Sequence, residues 1–257
     1  MMIEDLIIPA AGKGLRMKKV NPHLPKEMLL INHRPMIQYA VEEAILTGIK
    51  NVYIVINKKK EIIRRYLTKI KIPLKLYFVY QQGYKGAGDA INCAVKKIRA
   101  HKPFAVILPD ALFFGENPLI RLMSSYREDP SKNYLALIRV KKKDAKFFQV
   151  SGLIKLAKKQ QVYEINKFLP KKNEPLYFKS NFIIKAFPKY IFQPEFSFIF
   201  NKSKSAKGEI DDIPLLNLMA KNNNMLGVEI KGRAFDVGNP DGFEYCNNFL
   251  KKKGNKI

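Results

Sequence analysis

The sequence has few of the residues that build metal clusters or disulfide frameworks. It contains two cysteines, Cys93 and Cys246, and three histidines, and none of these lies at metal-ligand or triad spacing. One disulfide is conceivable, but two reduced thiols in a cytoplasmic protein are the favoured interpretation. Long apolar runs are also missing, since no stretch reaches the length that crosses a bilayer. Because residues 1–5 lack the basic region of a signal peptide, we expect a cytoplasmic protein without a transmembrane segment.

Acidic residues are scarce relative to basic ones. The 257 residues include 47 Lys+Arg and 22 Asp+Glu, a formal net charge of +25. Such a charge favours anionic partners: nucleotides, nucleic acid or an anionic membrane surface. The lysines form scattered clusters, such as Lys58-Lys59-Lys60 and Lys141-Lys142-Lys143, which is typical of solvated surface. No helix-turn-helix, zinc-finger or RNP-type motif is present, so binding to nucleic acid or membrane is a minor alternative.

Hydrophobic patterns divide the chain into strands and helices. Apolar runs predict strands at 6–8, 51–56, 74–80 and 104–108. Helical spacing predicts helices at 35–46 and 61–70, and a third helix follows the glycine-rich segment 81–90 and ends at Val95. Strands that alternate with helices indicate an α/β domain with a largely parallel sheet. The length of 257 residues suits one large domain or two small ones and is ample for a single core, and the hydrophobic fraction of 47% argues against disorder. The pattern becomes less regular after residue 141.

The first strand leads into a loop of small residues, Ala10-Ala11-Gly12-Lys13-Gly14. Small residues let backbone N–H groups approach an anion closely, and Arg16 and Lys26 follow as cations. This combination suits a polyphosphate. Taken alone, the loop is better explained as a tight turn between a strand and a helix, because it lacks the third glycine of a dinucleotide fingerprint and the ending of a P-loop.

Two carboxylates and a second glycine-rich segment complete the motifs. Asp110 follows the apolar run 104–108, and Asp236 opens the segment D-V-G-N-P. A carboxylate after a strand lies where open α/β sheets bind ligands, although an aspartate there is often a turn former. Residues 81–90, Q-Q-G-Y-K-G-A-G-D-A, form a glycine-rich segment that leads into a helix.

Together these segments resemble the sugar-nucleotide pyrophosphorylases. Their signature runs from an apolar strand through G-x-G-x-R-M, P-K-E-M, Q-G-x-x-K-G-x-G-x-A and L-P-D to D-x-G-N/T-P. The resemblance extends, with gaps, across almost the whole chain. It implies an α/β, Rossmann-like, three-layer nucleotide-diphospho-sugar transferase fold with a mixed central sheet. The single domain 1–257 would have a nucleotide-binding half, about 1–140, and a sugar-binding half with a C-terminal helix, about 141–257.

The resemblance also implies a reaction and its participants. UTP and glucose 1-phosphate, or a related sugar 1-phosphate, would give a UDP-sugar and pyrophosphate by direct displacement. Mg²⁺ would be the cofactor, and the protein would assemble as a dimer or tetramer. Nucleic acid is not an expected partner. By position, Arg16, Lys26 and Asp110 would be catalytic, and Asp110 with Asp236 would hold the metal. The nucleotide would contact Ala10, Ala11, Gly12, Gly14, Gln82 and Gly88, and the sugar phosphate Gly152, Lys167 and Glu209.

The match weakens where the sugar phosphate would bind. Phe168-Leu169-Pro170 stands in place of the family's E-K-P, and Asn181 lies in a segment that has lost a glycine. Asp89 stands where these enzymes tend to place His. Apolar groups cannot hold a sugar phosphate as a carboxylate and an ammonium do. Another side chain serves, the sugar differs, or the chain is a nucleotide-binding pseudoenzyme or regulatory homologue; the sequence leaves all three open. Glu209 is equally typical of an acidic helix N-terminus.

Overall fold

The structure is a computed structural model that describes residues 2–98, 102–148, 152, 154–159, 162–169, 181–203, 212–221 and 224–253. The β-strands are β1 (Asp5–Pro9), β2 (Leu30–Ile31), β3 (Arg34–Pro35), β4 (Asn51–Ile56), β5 (Lys75–Tyr80), β6 (Phe104–Ile107), β7 (Ala111–Gly115), β8 (Asn133–Lys141), β9 (Ile154–Lys159), β10 (Val162–Phe168), β11 (Phe182–Phe192), β12 (Met225–Glu229) and β13 (Gly232–Asp236). The α-helices are α1 (Met36–Ile45), α2 (Glu61–Leu67), α3 (Gly86–Val95), α4 (Pro118–Glu128), α5 (Phe196–Ser203), α6 (Asp212–Ala220) and α7 (Pro240–Lys253).

Nine of the described strands form one mixed sheet in the order β5-β4-β1-β6-β11-β8-β12-β10-β9. Strands β5, β4, β1 and β6 run parallel, as strand–helix alternation predicts. β11 lies antiparallel between β6 and β8. The expected α/β fold with a mixed central sheet is confirmed.

Helices cover both faces of this sheet. α1, α2 and α4 pack on one face, and α3, α5 and α6 pack on the other. In β1, Leu6 and Ile8 point to the first face and Ile7 to the second. Because the strand is buried on both sides, it reads as a continuous apolar run rather than an alternating one. A third cluster joins α7 to the separate β7–β13 pair.

The predicted elements of the first half agree closely with the structure. The strand predicted at 51–56 is β4, and the helix predicted at 35–46 is α1. The helix predicted at 61–70 ends earlier, at Leu67, where both the hydroxyl and the backbone N–H of Thr68 donate to the carbonyl of Arg64. These bonds close the last turn.

The second half contains strands that the sequence pattern did not predict: β9, β10 and β11. In β11, Lys185, Pro188 and Lys189 interrupt the apolar pattern. Pro188 lies at a shift of register, where strands tolerate proline, and its carbonyl accepts a bond of 3.1 Å from the Leu108 N–H. Lys189 is 1% exposed and forms an ion pair with Glu43 of α1. A lysine paired inside the core looks, in sequence, like a surface residue.

Cys93 and Cys246 are both free, so the single conceivable disulfide is not formed. Within the described ranges, no helix is long and apolar enough to cross a membrane.

Candidate active site

The loop after β1 forms the first part of the site. Ala10 and Ala11 are buried, and the Ala10 N–H donates to the Val55 carbonyl over 2.7 Å, which ties the loop to β4. Gly12 is exposed, and a Cβ atom placed on it would meet nothing within 4 Å. The loop is thus anchored on its inner side and open on its outer side, where an anion could approach.

Lys26 lies directly beside this loop, at the start of a short 3₁₀ helix. Gly14 has a φ of 64°, and a Cβ atom on it would lie 3.3 Å from Cγ of Lys26. Glycine is therefore required here both for the left-handed backbone and for the approach of the lysine stem. The contact places a cation next to the open loop.

The ammonium group of Lys26 donates to Oδ2 of Asp110 over 2.5 Å. Burial raises the pKa of Asp110, but the charge and the hydrogen bond of Lys26 outweigh it, so the pKa lies below its usual value. Burial likewise lowers the pKa of Lys26, yet the Asp110 and Glu27 carboxylates raise it above the usual value. The positive charge of Arg16 acts on both groups. Both members of the pair are therefore charged at neutral pH.

Asp236 reaches the same place from the far end of the chain. It ends β13, where it pairs with Ala111 of β7, and the next N–H, that of Val237, donates to the Asp110 carbonyl over 2.9 Å. A Cβ atom on Gly238 would lie 2.5 Å from Oδ2 of Asp110. The structure thus brings together the two aspartates that the sequence proposes as metal ligands.

The second glycine-rich segment faces the first loop. The ammonium group of Lys13 lies 5.3 Å from the ring centroid of Tyr84, a cation–π contact between the two loops. Gln81 is buried and donates to the Gly86 carbonyl and, over 2.8 Å, to Oδ2 of Asp89. Gln82 is exposed. Gln81 is therefore used within the protein, and Gln82, the residue chosen from the sequence, is accessible to a ligand.

Gly88 lies where α3 packs against α5 and α6. It is buried, and a Cβ atom on it would come within 3.2 Å of Leu215 and 3.3 Å of Phe200. The close approach of α5 and α6 to α3 therefore already explains why this position is glycine. A contact with the nucleotide stays a prediction.

Of the three residues proposed for the sugar phosphate, Gly152 and Lys167 lie within the described part of the chain. The carbonyl of Gly152 accepts a 2.9 Å bond from the Ala186 N–H, which places Gly152 beside β11. Lys167 is exposed on β10, four strand positions from β6. Its neighbour Phe168 is buried in the core, and Glu209 lies outside the described residues.

Comparison with known proteins identifies the family. Residues 6–253 match the family model described as nucleotidyl transferase. The chain belongs to the nucleotidyl transferase family.

This nucleotidyl transferase is 30% identical to UTP–glucose-1-phosphate uridylyltransferase 2 of Staphylococcus saprophyticus, over 94% of this chain and 89% of the relative. It is 28% identical to UTP–glucose-1-phosphate uridylyltransferase of Bacillus subtilis, over 94% and 88% of the two chains. A solved UDP-glucose pyrophosphorylase complexed with UDP-glucose superposes with a TM-score of 0.81 and 28% identity, covering 98% of this chain and 100% of that one. The resemblance inferred from the motifs is confirmed.

Three residues of this nucleotidyl transferase shape the site although the sequence assigned them no role: Gly238 and Asn239, which lie in the D-V-G-N-P segment, and Gly242, which follows it. The Asn239 side chain is fully buried, donates to the carbonyls of Asp236 and Phe147, and accepts from the Gly242 N–H at the start of α7. A Cβ atom on Gly242 would lie 1.9 Å from the Asp236 carbonyl oxygen. The signal was present in the spacing G-N-P-x-G, which is typical of a capped helix with proline at its first position.

The carboxylates of this nucleotidyl transferase fit a hard cation. Within the described ranges, no group of three or more His, Cys, Asp or Glu side chains could hold a metal. Two buried aspartates, Asp110 and Asp236, do converge, and one oxygen of Asp110 already contacts the ammonium of Lys26. Carboxylate oxygens completed by phosphate and water are the ligands that Mg²⁺ prefers.

Proposed function

We propose that this nucleotidyl transferase makes UDP-glucose, or a closely related UDP-sugar, and pyrophosphate from UTP and a sugar 1-phosphate. The observation that carries the proposal is the convergence of the loop 10–14, Lys26, Asp110 and Asp236 at one edge of the sheet. The similarity to UTP–glucose-1-phosphate uridylyltransferases, over almost the full length of both chains, supports the choice of substrates.

The arrangement suits direct displacement at the α-phosphorus of UTP. The sugar phosphate oxygen attacks in line with the departing pyrophosphate, so the protein supplies alignment and charge neutralisation rather than a nucleophile. The loop amides and Arg16 hold the pyrophosphate, Lys26 stabilises charge at the α-phosphate, and Gln82 contacts the base. Mg²⁺, when bound to Asp110 and Asp236, would neutralise further phosphate charge. Gly152, Lys167 and Glu209 remain the proposed sugar side, and assembly into a dimer or tetramer is proposed from the family resemblance.

Pyrophosphate release tests the proposal. Purified protein is given UTP, Mg²⁺ and glucose 1-phosphate, with galactose 1-phosphate and dTTP in parallel reactions and EDTA as the metal control. We expect release that requires the metal and is fastest with UTP. The absence of release with every pair would reject the proposed reaction.

A nucleotide-binding protein without transferase activity is the second candidate, and one observation favours it. Phe168, at the position of the family's glutamate, is 3% exposed, and its backbone N–H and carbonyl both bond to the side chain of Asn217. This backbone is fixed in the core rather than presented to a sugar. Calorimetry separates the candidates: UTP binding without any sugar-phosphate binding would favour the second.

The Asp110→Asn variant tests the chemistry of the site. The amide is a poor metal ligand and loses the charged bond to Lys26, so we expect turnover to be abolished in a folded protein. Asp241→Asn, at an exposed aspartate of α7, is the matched control and should retain activity. Pyrophosphate release and circular dichroism are measured on both. A folded Asp110→Asn protein with wild-type turnover would remove Asp110 from the mechanism.

A further inference from the structure

The lysine cluster 58–60 is not uniform. Lys58 and Lys59 are exposed, but Lys60 is 6% exposed, which corrects its interpretation as solvated surface. The three residues form a short 3₁₀ helix between β4 and α2, and Asn57 begins it by accepting a 3.1 Å bond from the Lys59 N–H through Oδ1. One turn thus presents two lysines to solvent and directs the third inward.

The ammonium group of Lys60 contacts two other segments. It donates to the Ala10 carbonyl over 2.9 Å and to Oε2 of Glu27 over 2.7 Å. Glu27 is 1% exposed, and its Oε1 has no hydrogen-bond partner among the described residues. The ion pair is therefore shielded from water, and removing one partner would leave the other charge buried and unpaired.

These two contacts join the parts that handle phosphate in the proposed function. Ala10 opens the loop whose amides face the anion, and Glu27 directly follows Lys26 in the chain. A single side chain thus links the position of the loop to the position of the Lys26 ammonium. Two apolar residues could fill the same space, but they could not donate to the Ala10 carbonyl.

Asn57 extends the connection to the second glycine-rich segment. Its Nδ2 lies 3.4 Å from the Gln81 carbonyl oxygen and 3.3 Å from that of Gly83. The turn 57–60 therefore contacts three separate segments: the loop after β1, the helix that carries Lys26, and the segment that carries Gln82.

We propose that Lys60, assisted by Asn57, is a positioning residue for the nucleoside triphosphate: it holds the phosphate-binding loop and Lys26 at the spacing that UTP requires. This inference rests on the proposed function and adds to it the residue that aligns the site. Lys60 itself is buried behind the loop and acts through Ala10 and Glu27.

Lys60→Met tests the positioning role, with Lys59→Met as the matched control in the same turn. We expect kcat/KM for UTP to fall about 10-fold to 100-fold in Lys60→Met, the effect of a small misplacement of the aligned groups. The KM for the sugar 1-phosphate should stay close to the wild-type value, because Lys60 contacts the nucleotide side alone. Lys59→Met should behave as wild type.

The double variant Glu27→Leu with Lys60→Met separates positioning from folding. Lys60→Met alone leaves Glu27 buried and unpaired, so its melting temperature should fall, whereas removal of both charges should restore it. The positioning role predicts that kcat/KM for UTP remains low in the restored protein. A double variant with wild-type stability and wild-type kcat/KM would overturn the proposal.

Asn57→Asp provides a measurement that does not depend on the buried pair. The aspartate keeps an oxygen for the Lys59 N–H but has no donor for the carbonyls of Gln81 and Gly83, so the KM for UTP should rise. If the wild type is active and the kinetic constants for UTP are unchanged in both Lys60→Met and Asn57→Asp, the positioning role is rejected while the proposed function stands. If the wild type releases no pyrophosphate, the proposed reaction is rejected. The positioning role is then tested by calorimetry, which compares the affinity of Lys60→Met for UTP with that of Lys59→Met. Equal affinities would overturn the positioning role as well.

Discussion

Gly12 and Gly14 stand two positions apart in one loop, and different physical requirements act on them. Gly14 needs its left-handed backbone and lies against Lys26, so a side chain there would strain the turn and displace the Lys26 side chain. Gly12 has open space around its Cα atom. Among the described residues, no packing demands glycine at position 12, which is compatible with the proposed approach of the nucleotide to this loop.

Gly12→Ala therefore separates binding from stability. The variant should fold with the wild-type melting temperature, because its methyl group meets nothing within 4 Å. The same methyl group would keep the loop amides away from the phosphate oxygens, so the KM for UTP should rise by about tenfold or more. Gly14→Ala is the comparison and should lose stability as well as activity. An unchanged KM in Gly12→Ala would mean that the loop does not contact the nucleotide.

Lys185 is another buried lysine, on β11 and near Asp236. It is 7% exposed and donates a hydrogen bond to the Phe148 carbonyl. Burial lowers its pKa to about 8, although the negative charge of Asp236 opposes this change. The folded protein therefore releases this proton at a lower pH than the unfolded chain, in which lysine has a pKa of about 10.4.

The contribution of Lys185 to the free energy of unfolding should consequently rise with pH between about 8 and 10, since the unfolded chain binds the extra proton in that window. The rise from this one group is at most about 3 kcal/mol, from a pKa difference of about 2.4. Lys185→Met should remove the rise, and the exposed Lys167→Met should keep it. Urea unfolding at several pH values measures both. An equal rise in Lys185→Met and wild type would contradict a depressed pKa for Lys185.

At the scale of elements, the junction of β13 and α7 places Asp236. The strand pairs with β7 directly after Asp110, and the helix begins at Pro240, three residues after Val237. Asn239 caps this helix and also holds the Asp236 carbonyl. The carboxylate is thus positioned by a strand on one side and by a helix start on the other.

Gly242→Ala should disturb this junction. The added Cβ atom would fall 1.9 Å from the Asp236 carbonyl oxygen, so the helix must move away from the strand end. We expect a loss of about 1–3 kcal/mol of stability, as for other overpacked sites, together with reduced turnover. Asn248→Ala, at an exposed position of the same helix, should be neutral. Chemical unfolding and pyrophosphate release are compared; wild-type values for Gly242→Ala would show that α7 does not constrain Asp236.

At the scale of the whole molecule, the net charge of +25 attracts anions of any kind. Membership in the nucleotidyl transferase family makes nucleotides the partner that the site can use. The minor alternative of nucleic-acid or membrane binding is tested by fluorescence titration with DNA, RNA and anionic vesicles. Tight, salt-sensitive binding to any of these would support it.

The charge should also act on the capture of UTP. Raising the ionic strength from about 0.01 M to about 0.15 M shortens the Debye length from about 30 Å to about 8 Å. We expect kcat/KM for UTP to fall roughly tenfold over this range, because the long-range attraction is screened, while kcat at saturating UTP stays constant. Steady-state kinetics in NaCl measures both. A kcat/KM independent of salt would show that the surface lysines do not steer the substrate.

The sequence by itself determined the elements and motifs that depend on near neighbours in the chain. The strand at 51–56 and the helix that became α1 follow from apolar periodicity, and the loop 10–14 follows from its small residues. The convergence of Asp110 and Asp236 was expected from the family resemblance, and it agrees with the rule that ligands bind at the carboxyl ends of strands in such sheets. The elements and the loop need only the local pattern, whereas the two aspartates needed the family resemblance as well.

Only the tertiary structure decided which lysines are buried and which are exposed. Lys58, Lys59 and Lys60 are indistinguishable in sequence, yet the third is buried against Glu27, 33 positions away in the chain. Lys185 and Lys189 likewise interrupt the apolar pattern of β11, so that the pattern did not predict this strand. The burial of a charge depends on a partner that can neutralise it, and folding brings that partner from a distant part of the chain.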